Sequence, residues 1–189
     1  MLKRKSGTLH RGAAGAVAVG LLAILSPWAA APAWAHKLQI GQKWSNFSYH
    51  HVTGYNDQWE APMTKAPERW SNHGRVALRS ASDANCNVKV GRYGSSRYGT
   101  YYSYHVNGGS TGCYITLNAR TIAEDSHRFQ NFVHSVFTHE LGHGLSLADN
   151  EHNASIMCEC RDRDTMTRRQ SHDNSDVTSY YTAGYTRRF

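Results

Sequence analysis

The five residues His139-Glu140-Leu141-Gly142-His143 constrain this 189-residue chain more than any other stretch. On an α-helix, histidines four residues apart stack on one face, so both imidazoles reach a single metal ion. The glutamate between them projects beside that point, where it can hold a water. The surrounding sequence agrees with a helix. From His127 to Leu145 there is no proline, and no glycine before Gly142. Phe129, Phe132, Val133, Val136, Phe137 and Leu141 recur at i, i+3 and i+4 spacing, the pattern of a long, deeply packed helix. Ser126 or Asp125 is the expected N-cap. His134 falls on another part of the helix surface and reads as a packing or surface residue.

A catalytic zinc takes three protein ligands and keeps a fourth position open. Asp149, six residues beyond His143, is too far for the same helix face, but it suits a chain that ends its helix and folds back. His152 is the rival third ligand. Gly144 is placed to help end the helix. The apolar pair Ile156-Met157, set in the polar stretch Asn153-Ala154-Ser155, suggests a tight turn whose methionine packs beneath the site.

The segment HELGHGLSLAD followed by SIM resembles the metzincin zinc peptidases, which carry HExxHxxGxxH and then a Met-turn. It looks most like the bacterial matrixin-like peptidases and the small snapalysin type, which is similar in having Asp where most metzincins have the third His. The resemblance implies His139, His143 and Asp149 as ligands of one Zn²⁺, Glu140 as general base and Met157 as the Met-turn residue. It is specific over residues 139–157. Upstream, Cys113-Tyr114-Ile115-Thr116-Leu117-Asn118 looks like the edge strand that pairs with extended substrate. Two features depart from the family. Its turn glycine falls at Ser146, so either a serine takes positive φ, at about 1–2 kcal/mol, or Gly144 starts the turn early. Aspartate at position 149 also requires the backbone to approach the metal more closely than a histidine would. The tyrosine that some metzincins carry two residues past the Met-turn is replaced by Glu159.

Residues 1–35 read as a secretory signal peptide: Lys3, Arg4, Lys5 and Arg11, an apolar run from Ala13 to Leu25, then Ala33-Trp34-Ala35. A membrane anchor is the alternative, but the run is short and is broken by Ser26 and Pro27. Cleavage leaves residues 36–189 as one catalytic domain, with an upper part 36–149 and a lower part 150–189. It also removes four basic residues and no acidic ones, so the formal charge falls from +7 to +3. That weakens any nucleic-acid reading. Arg161-Asp162-Arg163, Arg168-Arg169 and Arg187-Arg188 are interrupted or terminal and read as solvated surface. Export makes disulfides the default for Cys86, Cys113, Cys158 and Cys160. Three pairings exist; Cys86 with Cys113 across adjacent strands is favoured. Cys158 and Cys160 could bridge, or form a Cys-x-Cys metal site.

The expected fold is α+β, a metzincin-like zincin with a mixed twisted sheet, an active-site helix and a small C-terminal subdomain. Strands are expected over Asn46–His51, Val76–Arg79, Asn87–Val90 and Tyr101–Val106, then the 113–118 strand. Asp57–Asn72 reads as an amphipathic helix, with Pro62 in its first turn and Pro67 as a kink or break. Residues 173–185 form a last helix, with Val177, Tyr180, Tyr181 and Tyr185 inward.

The expected function is a secreted zinc-dependent endopeptidase, with a zinc-bound water and Glu140 as its base. It would be a monomer acting on protein or peptide, with no nucleic-acid partner and no membrane partner after cleavage. Calcium has no support in the sequence. The alternatives are an inactive metzincin-like peptide-binding module, a disulfide-stapled structural protein with a chance motif, and a peptidase using a distant Glu151 or Glu159. Sequons at Asn46 and Asn153 matter only in a host that glycosylates exported protein.

Overall fold

A computed structural model describes residues 46–51, 56–71, 76–84, 86–105, 111–152 and 154–182. The expected signal peptide, Tyr185, Arg187-Arg188 and Asn153 lie outside the described residues. Among the described residues no helix is long and apolar enough to cross a membrane.

The elements run β1 (Asn46–His51), α1 (Asp57–Ser71), β2 (Ala77–Ser80), β3 (Cys86–Gly91), β4 (Gly99–His105), β5 (Thr111–Asn118), α2 (Ala119–Asp125), α3 (Phe129–Gly144) and α4 (Ser171–Thr182). The fold is α+β. Five strands form one mixed sheet in the order β2-β1-β3-β5-β4, parallel except for the antiparallel β4/β5 pair. Strand alternation sends Val88, Cys113, Ile115 and Leu117 to the covered face. Tyr102 and Tyr114 point to solvent.

This topology corrects one expectation. The 113–118 strand is not an edge: β5 is bonded to β3 on one side and β4 on the other. Tyr114, Ile115, Thr116 and Leu117 therefore have their backbone donors and acceptors engaged by neighbouring strands and are not free to accept an added strand. The strand at that end of the sheet is β4. The sequence does not show this, because it is the non-local β3–β5 pairing that puts β5 inside the sheet, with its sequence neighbour β4 beyond it.

α1 and α3 pack against each other and cover the sheet. Trp59 meets Phe129 edge-on at 5.1 Å, Tyr98 meets Phe132 at 4.9 Å, and Tyr49 meets Phe137 at 5.9 Å. Both prolines lie inside α1, and the helix runs through Pro67. Each is buried on its packed face, so core contact offsets the backbone donors they lack. Trp70 is fully buried and donates its indole N–H to Thr138 O at 2.8 Å, tying α1 to the middle of α3.

The start of α3 also differs from expectation. Asp125 ends α2 and Ser126 is the C-cap of that helix. The residue preceding α3 is Arg128, which makes no side-chain cap. The carboxylate of Asp164 supplies the cap from a distant loop, accepting from His127 N at 3.3 Å and Arg128 N at 2.5 Å. His134 is a packing residue on the flank of α3. Its Nε2 accepts from Arg69 Nε at 3.2 Å, and burial, helped by the Arg69 charge, pushes its pKa down to about 4.

Two disulfides are formed, Cys86–Cys113 and Cys158–Cys160. The first joins directly opposed residues of β3 and β5, as favoured from sequence. The second closes the Cys-x-Cys pair on itself, so these sulfurs are not a thiolate metal site.

Candidate metal centre

α3 carries His139, Glu140 and His143 on its last turns, all buried. The helix then ends in a Schellman motif. Leu147 N donates to Gly142 O at 3.1 Å and Ser146 N to His143 O at 2.9 Å. The left-handed residue of that motif is Ser146, with φ of 68°. Gly144 stays helical, so the turn does not start early. The serine carries a conformation that glycine would adopt at less cost.

This turn has a chemical consequence. It brings Leu147 O to 2.8 Å from His143 Nδ1. A carbonyl only accepts, so Nδ1 bears the proton and the Nε2 lone pair faces the other way. His139 is held similarly, with Ile156 O at 3.0 Å from its Nδ1. The two Nε2 atoms meet 3.1 Å apart with the rings nearly perpendicular at 86°.

The chain reverses after α3 and delivers Asp149 to the same point. Its Oδ1 lies 3.1 Å from His139 Nε2 and 3.4 Å from His143 Nε2. Zinc bond lengths of about 2.0–2.2 Å place the corners of a ligand tetrahedron about 3.3–3.6 Å apart. The three observed edges, 3.1, 3.1 and 3.4 Å, fall at or just below that range. Two imidazole lone pairs and a carboxylate oxygen converging so closely fit a small divalent cation. Calcium fits poorly, because it prefers six to eight oxygen ligands.

The electrostatics follow from burial and neighbours. Burial, then the charge of Arg161, pushes the His139 imidazole down to about 3. Burial pushes the Asp149 carboxyl up, but the adjoining His139 and His143 imidazoles outweigh it and hold the group well below the usual carboxylate range. Burial pushes Glu140 up to about 7. Gly99, at the start of β4, lies against that carboxylate: a Cβ there would collide with Glu140 Oε1 and Val136. The loop leading to Gly99 is pinned by Asn118, whose Nδ2 donates to Tyr93, Ser95 and Arg97 carbonyls at 3.2, 2.8 and 3.2 Å. Two residues on, the Tyr101 ring stands 6.2 Å from the His143 ring.

Beneath the histidines lies the turn containing Met157. Asp173, fully buried at the start of α4, accepts from Ser155 Oγ at 2.5 Å, Ile156 N at 2.9 Å and Gln170 N at 2.6 Å. Tyr181 OH donates to Leu145 O at 2.8 Å. α4 thus supports both the turn behind His139 and the end of α3. Met157 is buried under Gly142, where any added Cβ would overlap its Sδ and crowd Trp70. Gly142→Val is therefore expected to cost about 1–3 kcal/mol by overpacking. Thermal unfolding should show this as a drop of several degrees, and an unchanged midpoint would mean that the turn yields freely.

The structure thus brings His139, His143 and Asp149 together, with Glu140 alongside and Met157 below. Among the described residues this is the group of His, Cys, Asp and Glu whose ligand atoms converge. His152 stands apart: it is exposed, its ring 4.6 Å from that of His172. Glu151 and Glu159 are exposed and outside the cluster.

The charge runs need correction. Arg161 is buried, Arg163 lies 4.6 Å over the Tyr98 ring, and Arg169 donates to Trp70 O at 2.8 Å. Reading these residues as solvated surface fails because each guanidinium finds carbonyls or a ring brought close only by the fold. Gly99 and Asp173 were not singled out from sequence, and Arg161 was read there only as surface, because each is isolated from the motif.

No protein-family model matches the chain, and no curated protein matches it. Among solved structures it is similar to a chain described as "GM1 bound form of the ECX AB5 holotoxin". The identity is 13%, the TM-score 0.52, and the match covers 72% of this chain and 80% of that one. The expected function is corrected by this finding. A toxin described by bound GM1 gives no support to a secreted zinc-dependent endopeptidase or its inactive peptide-binding variant. At 13% identity the likeness establishes fold alone, and the ganglioside belongs to the other protein.

Proposed function

We propose that this chain is a mononuclear zinc hydrolase, with His139, His143 and Asp149 as the protein ligands and Glu140 as general base. The observation that carries this reading is the convergence of two Nε2 lone pairs and one Asp149 oxygen at 3.1–3.4 Å. Both Nδ1 atoms are turned toward carbonyl oxygens behind them. Such back-bonding fixes ring plane and tautomer. A zinc ion held there would act as a Lewis acid and bring the pKa of a coordinated water to about 7.

Everything else falls to the chain's own side chains. Glu140 is buried against Gly99, beside the converging ligand atoms, where a general base would stand. It would accept the proton of the attacking water and return it to the leaving group. Asp149 is half-exposed, so the centre is open on that side and enclosed by α3 and the Met157 turn elsewhere. Two closed disulfides support action in an oxidising compartment outside the cytosol.

Purified protein should contain one zinc per chain and hydrolyse p-nitrophenyl acetate. A chelator should abolish that turnover, and added zinc should restore it. A protein that takes up no zinc, or whose esterase activity survives full metal removal, would overturn the reading.

A further inference from the structure

Arg161 is a buried guanidinium in contact with Ser135, Cys158 and His139; it is hydrogen-bonded to no carboxylate, although the charges of Glu140, Asp149 and Asp173 act on it. Its Nε donates to Ser135 Oγ at 3.0 Å, and its Nη2 to Ser135 O at 3.3 Å. Its Nη1 donates to Cys158 O at 2.7 Å and lies 3.0 Å from His139 Nδ1. Taking a cation out of water costs several kcal/mol unless its donors are satisfied. This one is satisfied by neutral oxygens of two elements, Ser135 on α3 and Cys158 in the turn. A leucine would fill such a place without that cost, so packing alone does not account for an arginine.

The placement supplies a reason. Ser135 lies one helical turn before His139 on α3, and Cys158 closes the turn whose Ile156 carbonyl backs the same ring. The planar fork of Arg161 therefore spans the two bodies between which His139 is held. Asp173 secures the far side of that turn through Ser155 and Ile156, but it does not reach α3 in these bonds.

We propose that Arg161 is a positioning residue for the metal centre, clamping the Ile156–Cys158 turn to α3 and so fixing the plane in which His139 presents its Nε2. This rests on the zinc reading above. Outer partners of metal-bound histidines typically change affinity by about 10–100-fold when removed.

The test compares zinc dissociation constants, by competition with a chromogenic chelator, for wild type, Arg161→Met and Tyr181→Phe. Tyr181→Phe removes a hydrogen bond to Leu145 O at the other end of the site without touching His139. Arg161→Met should weaken zinc binding by about tenfold or more and shift the visible bands of the cobalt-substituted protein. Tyr181→Phe should change zinc affinity by less than about threefold even where it lowers the apo melting temperature. Equal zinc affinity in wild type and Arg161→Met, or losses in both variants that simply follow their stability, would overturn the proposal. If Arg161→Met does not fold, Arg161→Lys is judged by the same thresholds, since one ammonium cannot span both Ser135 and Cys158. A wild type that binds no zinc sinks the zinc reading itself. A wild type that binds zinc with an indifferent Arg161 variant sinks only the clamp.

Discussion

Glu140→Ala is expected to keep zinc bound and to lower turnover of p-nitrophenyl acetate about a hundred- to ten-thousand-fold, the usual contribution of a positioned general base. The two effects separate because Glu140 is not among the converging ligand atoms. Its carboxylate lies against Gly99 instead, buried and raised in pKa. Glu140→Gln sharpens the comparison, since it keeps the volume beside Gly99 and removes only the proton acceptor. Both variants should show wild-type zinc stoichiometry. Retained turnover in Glu140→Gln would remove the proton-transfer role. Lost zinc in either variant would mean that Glu140 belongs to the ligand set.

Asp149→Ala is expected to weaken zinc binding by about a hundredfold or more. Zinc sites of four ligands bind with about 10–16 kcal/mol in total, which puts each ligand near 3 kcal/mol. His152→Ala should change affinity less than about threefold, because His152 is exposed beside His172 rather than near the other two histidines. Titration against a chelator distinguishes the two variants directly. The reverse ranking would replace Asp149 as third ligand and require the segment after residue 149 to fold differently around the metal.

The site was legible in sequence wherever its geometry is local. The i, i+4 spacing of His139 and His143 sets their stacking on any helix, and the apolar repeat from Phe129 to Leu141 requires that helix to be buried. Ser146 was legible as a strain point, since a chain turning back there needs a left-handed residue, and the structure puts it at φ 68°. Asp149 stood open against His152, because nothing in a loop sequence sets its return path. The path is decided by the Schellman motif and by Asn150 N donating to Met157 O at 3.1 Å. The strand at 113–118 was recognisable as a strand but not as an interior one. Alternation reports which face a residue takes, and says nothing about which neighbour lies on either side.

The sequence by itself determined a buried helix with two stacked histidines and a glutamate, followed by a return loop rich in candidate ligands. Helical periodicity dictates the first of these. Only the tertiary structure decided that Asp149 closes the ligand triangle, that β4 rather than β5 ends the sheet, that Asp164 caps α3, and that Arg161 is buried behind His139. Asp164 and Arg161 reach α3 from well beyond it in the chain, β4 ends the sheet because β5 also pairs with β3, and Asp149, though near in sequence, meets the histidines only through the turn at Ser146.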